Sequence, residues 1–160
     1  MGTAQTSDFD RMVEELQQLV IEDARTYYSP QVVEGWLHPQ NVGRLSDPDA
    51  SAVVRGWCGD TMEIYLKVSE GRIVEATFMT DGCGPTVACG SKLTSMVRDL
   101  PLDEAQKLDR DDLLAALGGL PEESIHCAEL AVNTLHKAIA DYLHGPHEGH
   151  APAREGILVR

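Results

Sequence analysis

The sequence predicts an α+β domain: a small three-stranded antiparallel sheet with helices packed on one of its faces. One stretch in the middle of the chain alternates strictly, with Met62, Ile64, Leu66 and Val68 interleaved with Glu63, Tyr65 and Lys67. On either side of the strand region, apolar residues recur at helical spacing instead. Strands gathered in one block and helices in others, with no internal repeat, mark an α+β chain rather than an alternating α/β one.

The elements follow in order. Ser7 and Asp10 form a capping pattern, and Phe9, Met12, Val13, Leu16, Leu19, Val20 and Ala24 continue at helical spacing, so a first helix is expected over residues 7–26. Ser29-Pro30, a cap followed by proline at the first helical position, opens a short second helix that stops before Pro39. Residues 39–50, "PQNVGRLSDPDA", are rich in turn formers and read as an irregular loop. "AVVRGW" (52–57) is a strand ending at Cys58-Gly59-Asp60; the alternating stretch is the second strand. Glu70-Gly71 turns the chain back into "RIVEATFMT", which completes an antiparallel meander.

From Pro85 the pattern is helical. Thr86, Cys89, Leu93, Met96, Val97 and Leu100 share one face of the first of these helices. A short piece spans residues 103–108, and a further helix starts near Asp109 and stops at Gly118-Gly119. The last helix runs from Ser124 to Gly145-Pro146, with Ala128, Ala131, Leu135, Ile139 and Tyr142 on its core side. Residues 144–160 contain Gly, Pro and His with little to order them and read as a flexible tail.

A chain of 160 residues is large enough for one domain with a proper core. Its formal net charge of -13 repels phosphate backbones and anionic bilayers, which excludes nucleic acid and membrane surfaces as expected partners. No apolar run has the length of a membrane span, and no basic region followed by a hydrophobic stretch opens the chain, so a cytoplasmic protein is expected.

Cysteines stand at 58, 83, 89 and 127, with no C-x-x-C pair among them. That spacing excludes zinc fingers, zinc ribbons and thioredoxin-like motifs, so any site is assembled by the fold from distant segments. Cys58 lies in a turn after a strand, Cys83 in a glycine-flanked turn before a helix, and Cys127 in the first turn of the last helix if Ser124 caps it. Helix N-termini favour thiolate over thiol, and Gly59, Gly82 and Gly84 leave room for a ligand to approach the backbone. Three such thiols make a soft-metal or sulfur site. Asp60 is a candidate oxygen ligand and His126 a candidate nitrogen ligand beside Cys127. Cys89, on the apolar helix face, reads as a buried inert thiol. His144, His147 and His150 read as a tail with adventitious metal affinity.

"YYSPQVVEGWLHPQNVG" (27–43), "CGD" (58–60), "DGCG" (81–84), "LDEAQKL" (102–108) and "IHC" (125–127) resemble the IscU/NifU-type iron–sulfur cluster assembly scaffolds, in the family's order and spacing. The resemblance implies an α+β fold with the site at one end and a cluster held by Cys58, Cys83 and Cys127, with Asp60 keeping it labile and His126 the neighbouring candidate ligand. It implies a cysteine desulfurase as sulfur donor and apo iron–sulfur proteins as acceptors. With three suitable thiols, the fourth place of a [2Fe–2S] unit falls to Asp60 or His126, a more exchangeable donor suited to release. Zn²⁺ fits the same donors in the cluster-free form.

The stretch before His126 reads "LPEES" where the IscU branch has L-P-P-V-K, so the resemblance does not extend to a dedicated Hsp70-type chaperone. The alternative is a zinc-dependent sulfurtransferase of the SufU type, whose chains carry an insertion missing between Cys83 and Cys127. The expected organisation is a helical extension (1–26), a scaffold domain (27–143) and the tail (144–160).

Overall fold

The computed structural model describes residues 7–144. Helix α1 (Asp8–Tyr27) starts at a capping box in which the Ser7 hydroxyl accepts from the Asp10 N–H and the Asp10 carboxylate accepts from the Ser7 N–H. Its apolar stripe does not enter the core: Ala24 is buried, but Phe9, Met12, Leu16, Leu19 and Val20 stay exposed. The periodicity therefore foretold the helix correctly and says nothing of what covers its face. Helix α2 (Pro30–Leu37), capped by the Ser29 hydroxyl, buries Val32 and Val33.

The sheet is a meander in the order β1-β2-β3, with β1 (Ala50–Arg55), β2 (Thr61–Ser69) and β3 (Arg72–Thr80), antiparallel throughout. Ala52 faces Ile64 across one ladder and Ile64 faces Phe78 across the other, a row whose side chains lie in the core. Strand β1 begins at Ala50, because the Asp49 N–H already bonds the Leu66 carbonyl, and ends at Arg55. Trp57, expected at the end of that strand, lies in the turn that follows.

Helix α6 (Ile125–His144) lies against β1 and β2, and α3 (Gly84–Val97) against β3, with α2 packed on α3. Leu93 and Val97 of α3 and Ala128, Ala131, Leu135 and Ile139 of α6 are fully buried, as their periodicity predicts. Leu100 falls outside α3, which stops at Val97 before the positive-φ Asp99. Two short helices, α4 (Leu102–Lys107) and α5 (Arg110–Ala116), cover the end of the core. A 3-10 turn (Glu122–Ser124) leads directly into α6, so Ser124 enters the helix through that turn and is not a simple cap.

The outer face of the sheet departs from simple alternation. Glu63 and Tyr65 point away from the helices yet are buried. The irregular loop 39–49 closes over them: residues 41–43 run along β3 at Phe78, and Arg44 Nε and Nη2 clasp the Glu63 carboxylate at 2.9 and 3.1 Å. The Tyr65 hydroxyl donates to the same carboxylate at 2.5 Å. Burial alone would push the Glu63 carboxyl up, but Arg44 and Tyr65 together hold it below its ordinary value.

Candidate metal centre

Three loops meet at one end of the sheet. The first is the turn between β1 and β2, closed by the Gly56 N–H on the Asp60 carbonyl (2.8 Å) and the Gly59 N–H on the Gly56 carbonyl (3.0 Å). Gly59 holds φ +95°, a value that side-chain-bearing residues rarely adopt, and this bend presents Cys58 and Asp60 outward. The second loop, between β3 and α3, is pinned to the first. Asp81 Oδ1 accepts from the Thr61 N–H at 2.6 Å, and the Thr80 hydroxyl donates to the Thr61 carbonyl at 2.7 Å. Cys83 is the N-cap residue of α3, extended in backbone, and its side chain makes no capping bond. Its sulfur is therefore free of local backbone duty. The third segment is the first turn of α6, carrying His126 and Cys127.

The fold brings all five expected residues together in two overlapping groups. One ligand atom each from Cys58, Asp60 and His126 lies within 4.8 Å of the others. Around the Thr86 hydroxyl stand Asp60 Oδ2 at 3.2 Å, Cys127 Sγ at 3.3 Å and Cys83 Sγ at 3.7 Å. Asp60 belongs to both groups, and Cys127 Sγ lies 3.7 Å from His126 Nε2. All four cysteines are free thiols. Cys58 and Cys83 are exposed, whereas Cys127 is buried.

Cys127 corrects one expectation. Burial pushes its thiol up to about 11; the Thr86 hydroxyl opposes that shift, while the charges of Cys83, Asp60 and Cys58 add to it. The position at a helix start is thus outweighed in the metal-free site, where burial favours the protonated thiol. Cys89 is wholly buried inside α3, and burial, with smaller effects from Cys127 and Cys83, pushes its thiol well above the ordinary range. This is the inert thiol its position on the apolar face predicts.

The glycines around Cys83 also differ from expectation. A Cβ on Gly84 would lie 2.3 Å from Cδ2 of the Trp36 indole, and one on Gly82 would lie 2.7 Å from Cβ of Thr86. These positions admit neighbouring side chains of the protein, Trp36 and Thr86, and do not hold space open for a ligand. Two residues beside the site escaped the sequence reading. Thr86 was placed with the core because it falls on the apolar face of α3; the signal was a polar residue three positions after Cys83. Trp57, exposed beside Cys58, sets its ring 5.2 Å from that of His126. His144 lies exposed at the end of α6, and His147 and His150 lie outside the described residues.

Three sulfurs, one carboxylate and one imidazole form an anionic, sulfur-rich donor set that suits Zn²⁺ or iron. Across residues 27–148 the chain matches the family described as NifU-like N terminal domain. The chain belongs to that family. This NifU-like domain is 41% identical over 116 residues to an iron-sulfur cluster assembly scaffold protein IscU of Archaeoglobus fulgidus, covering 72% of this chain and 76% of the relative. With the IscU scaffold protein of Escherichia coli strain K12 it shares 39% identity over 120 residues, covering 72% of this chain and 93% of that one. The nitrogen fixation protein NifU of Trichormus azollae is 35% identical over 141 residues, 82% of this chain but 47% of that longer protein.

Among solved structures, the N-terminal part of a nitrogen-fixing NifU-like protein from Brucella abortus superposes with a TM-score of 0.60 at 21% identity, covering 74% of this chain and 95% of that one. A protein from Fervidobacterium islandicum, described as a scaffold for the SUF system, gives a TM-score of 0.58 at 15% identity over 70% of this chain and 96% of its own. These two likenesses are of fold. No helix among the described residues of this NifU-like domain is long and apolar enough to cross a membrane.

Proposed function

We propose that this NifU-like domain is a scaffold and transfer protein, not an enzyme. Iron–sulfur clusters of the [2Fe–2S] type are its cargo, built from iron and from sulfur delivered by a cysteine desulfurase, then handed to apo iron–sulfur proteins. The observation that carries the proposal is the convergence of Cys58, Cys83 and Cys127, all free thiols on separate segments, upon Asp60 and His126. We assign the cargo to these five residues. Two exposed thiols and one buried thiol grade the site from solvent inward, so cargo enters past Cys58 and Cys83 and engages Cys127 last. Each thiol loses its proton as metal binds, which ties assembly to proton release. Asp60 or His126 supplies the fourth position as a donor more exchangeable than thiolate.

The names of the IscU relatives support this reading, as does the match of family over residues 27–148, which takes in the proposed scaffold segment 27–143. In the turn before His126, Glu122, Glu123 and Ser124 stand where the IscU branch has the proline, valine and lysine of its chaperone-recognition stretch, and Glu123 bonds the Tyr27 hydroxyl. A dedicated Hsp70-type chaperone is therefore left out of the proposal. The proposal places the work in the cytoplasm, where free thiols stay reduced.

The test is anaerobic reconstitution with iron, cysteine and a desulfurase, read as acid-labile sulfide and Mössbauer spectra. Serine at Cys58, Cys83 or Cys127 abolishes a stable cluster, and serine at Cys89 leaves it intact. A folded Cys89→Ser protein without cluster, or a Cys127→Ser protein with a full one, overturns the assignment. The compact Cys58–Asp60–His126 group favours a second reading, a zinc-dependent sulfurtransferase of the SufU type. That reading requires zinc-loaded protein to accept persulfide sulfur while forming no acid-labile sulfide.

A further inference from the structure

Thr86 stands at the junction of the two groups of ligands, and its surroundings fix it there. The residue is wholly buried, the third of α3, and it packs against the bare backbone of Gly82, where a Cβ would come within 2.7 Å of Thr86 Cβ and Cγ2 and 2.8 Å of Oγ1. That close seat confines the side chain and aims its hydroxyl into the site. The hydroxyl has one proton to give, and its two nearest acceptors are Asp60 Oδ2 at 3.2 Å and Cys127 Sγ at 3.3 Å, with Cys83 Sγ farther off at 3.7 Å. It cannot serve both at once.

The geometry points to Thr86 as a positioning residue that exchanges one hydrogen bond between Asp60 and Cys127 as cargo binds and leaves. This inference rests on the assignment of Asp60 and Cys127 to the cargo site. In the empty site the hydroxyl donates to the Asp60 carboxylate and holds it beside Cys127. When a cation takes the Asp60 oxygen, the hydroxyl turns to the Cys127 sulfur, now a ligand. The hydroxyl donates one hydrogen bond in either state, so Asp60 is given up to the metal, and recovered from it, without leaving that buried donor unpaired. Partners of this kind orient metal ligands, and losing one lowers metal affinity by about 10–100-fold.

The experiment uses Co²⁺ alone as the probe, titrated anaerobically into the full chain and into Thr86→Val, Thr86→Ser and Cys127→Ser variants. Valine keeps the shape and removes the hydroxyl; serine keeps the hydroxyl and removes the methyl. The expected result for Thr86→Val is an affinity about tenfold or more below the parent's. Its sulfur-to-cobalt charge-transfer bands should also lie at lower energy, because the sulfur lone pair has lost its hydrogen bond. Thr86→Ser restores both. A merely structural role would not move the charge-transfer energy.

Thr86→Val with the parent's affinity and bands overturns the inference, and so does Thr86→Ser that behaves like valine. In either case, loss of the bands in Cys127→Ser leaves the site assignment standing. A parent that binds no Co²⁺ through sulfur overturns the site and this inference together.

Discussion

Arg44 is the only cation bonded to the buried Glu63 carboxylate among the described residues, which makes Arg44→Met a sharp perturbation of the sheet's outer face. Methionine keeps much of the side chain's length and apolar contact while removing the guanidinium. Glu63 is then left with the Tyr65 hydroxyl as its one side-chain partner. Breaking a buried ion pair from one side costs about 3–5 kcal/mol. The side chain of Arg44 is 36% exposed, so water relieves part of the loss and the low end applies.

An independent measure of the variant's own cost comes from the escape open to Glu63, which is to take up a proton. From an ordinary value of 4.5, protonation at pH 7 costs about 3.4 kcal/mol at about 1.36 kcal/mol per pH unit. A loss of about 3 kcal/mol is therefore expected, which is roughly 6–12 °C of thermal midpoint for a chain of this size.

The pH dependence carries a sign. In the parent the folded Glu63 carboxyl is held below its ordinary value, so its contribution is present above about pH 4.5 and is lost as pH falls through the lower folded value. In the variant the folded carboxyl rises above 4.5, and stability is lost as pH rises. The gap between the two proteins must therefore be widest near pH 7 and close towards pH 4. Urea denaturation followed by circular dichroism at pH 4, 5.5 and 7 measures it. A loss below about 1 kcal/mol at pH 7, or one that does not shrink on acidification, refutes the reasoning.

Asp60→Ala removes the exchangeable oxygen donor of the proposed site, so its cluster is expected to survive longer in air and to pass more slowly to an apo-ferredoxin; visible absorbance under oxygen and the rate of holo-acceptor formation check both. Gly84→Ala drives a methyl group into Trp36 and is expected to cost about 1–3 kcal/mol, read as a lower urea midpoint. Deleting residues 1–23 removes the part of α1 that contains none of its buried residues, so the thermal midpoint of the remainder is expected to move by less than about 3 °C, measured by calorimetry.

The elements whose contacts are local or periodic were legible. Alternation through Met62–Glu63–Ile64–Tyr65–Leu66 marks a strand because successive side chains must point to opposite faces. The same rule misjudged Glu63 and Tyr65, since a face opposite the helices is solvated only if nothing else covers it. What covers it is Arg44, 19 residues before Glu63, in a loop with no periodicity to read. Cys58 and Cys83 stood out for the opposite reason: exposed thiols at turns gain little from packing there, whereas Cys127 is buried in the core and its helix-start position alone did not show that. Thr86 was hidden because its meaning depends on Asp60, 26 residues earlier, and Cys127, 41 residues later. On its own helix it is indistinguishable from a core residue.

The arrangement of the three segments bears on how a site can be firm and still let go. Asp81 and Thr80 fasten the Cys83 loop to Thr61, one residue beyond Asp60, which ties the two loops to each other at the end of the sheet. Cys127 sits on a different element, the long helix α6, anchored by Ala128, Ala131, Leu135 and Ile139 in the core it shares with the sheet. Under the proposed assignment, cargo held between Cys83 and Cys127 would bridge sheet and helix. With the Cys127 thiol pushed up to about 11, a metal bound there displaces a proton that the empty site readily takes back. Affinity should therefore rise with pH from neutrality towards about 11, and acidification should favour release. In the proposed site the exposed thiols Cys58 and Cys83 would be the first ligands cargo meets, and the buried Cys127 the one whose reprotonation favours its departure.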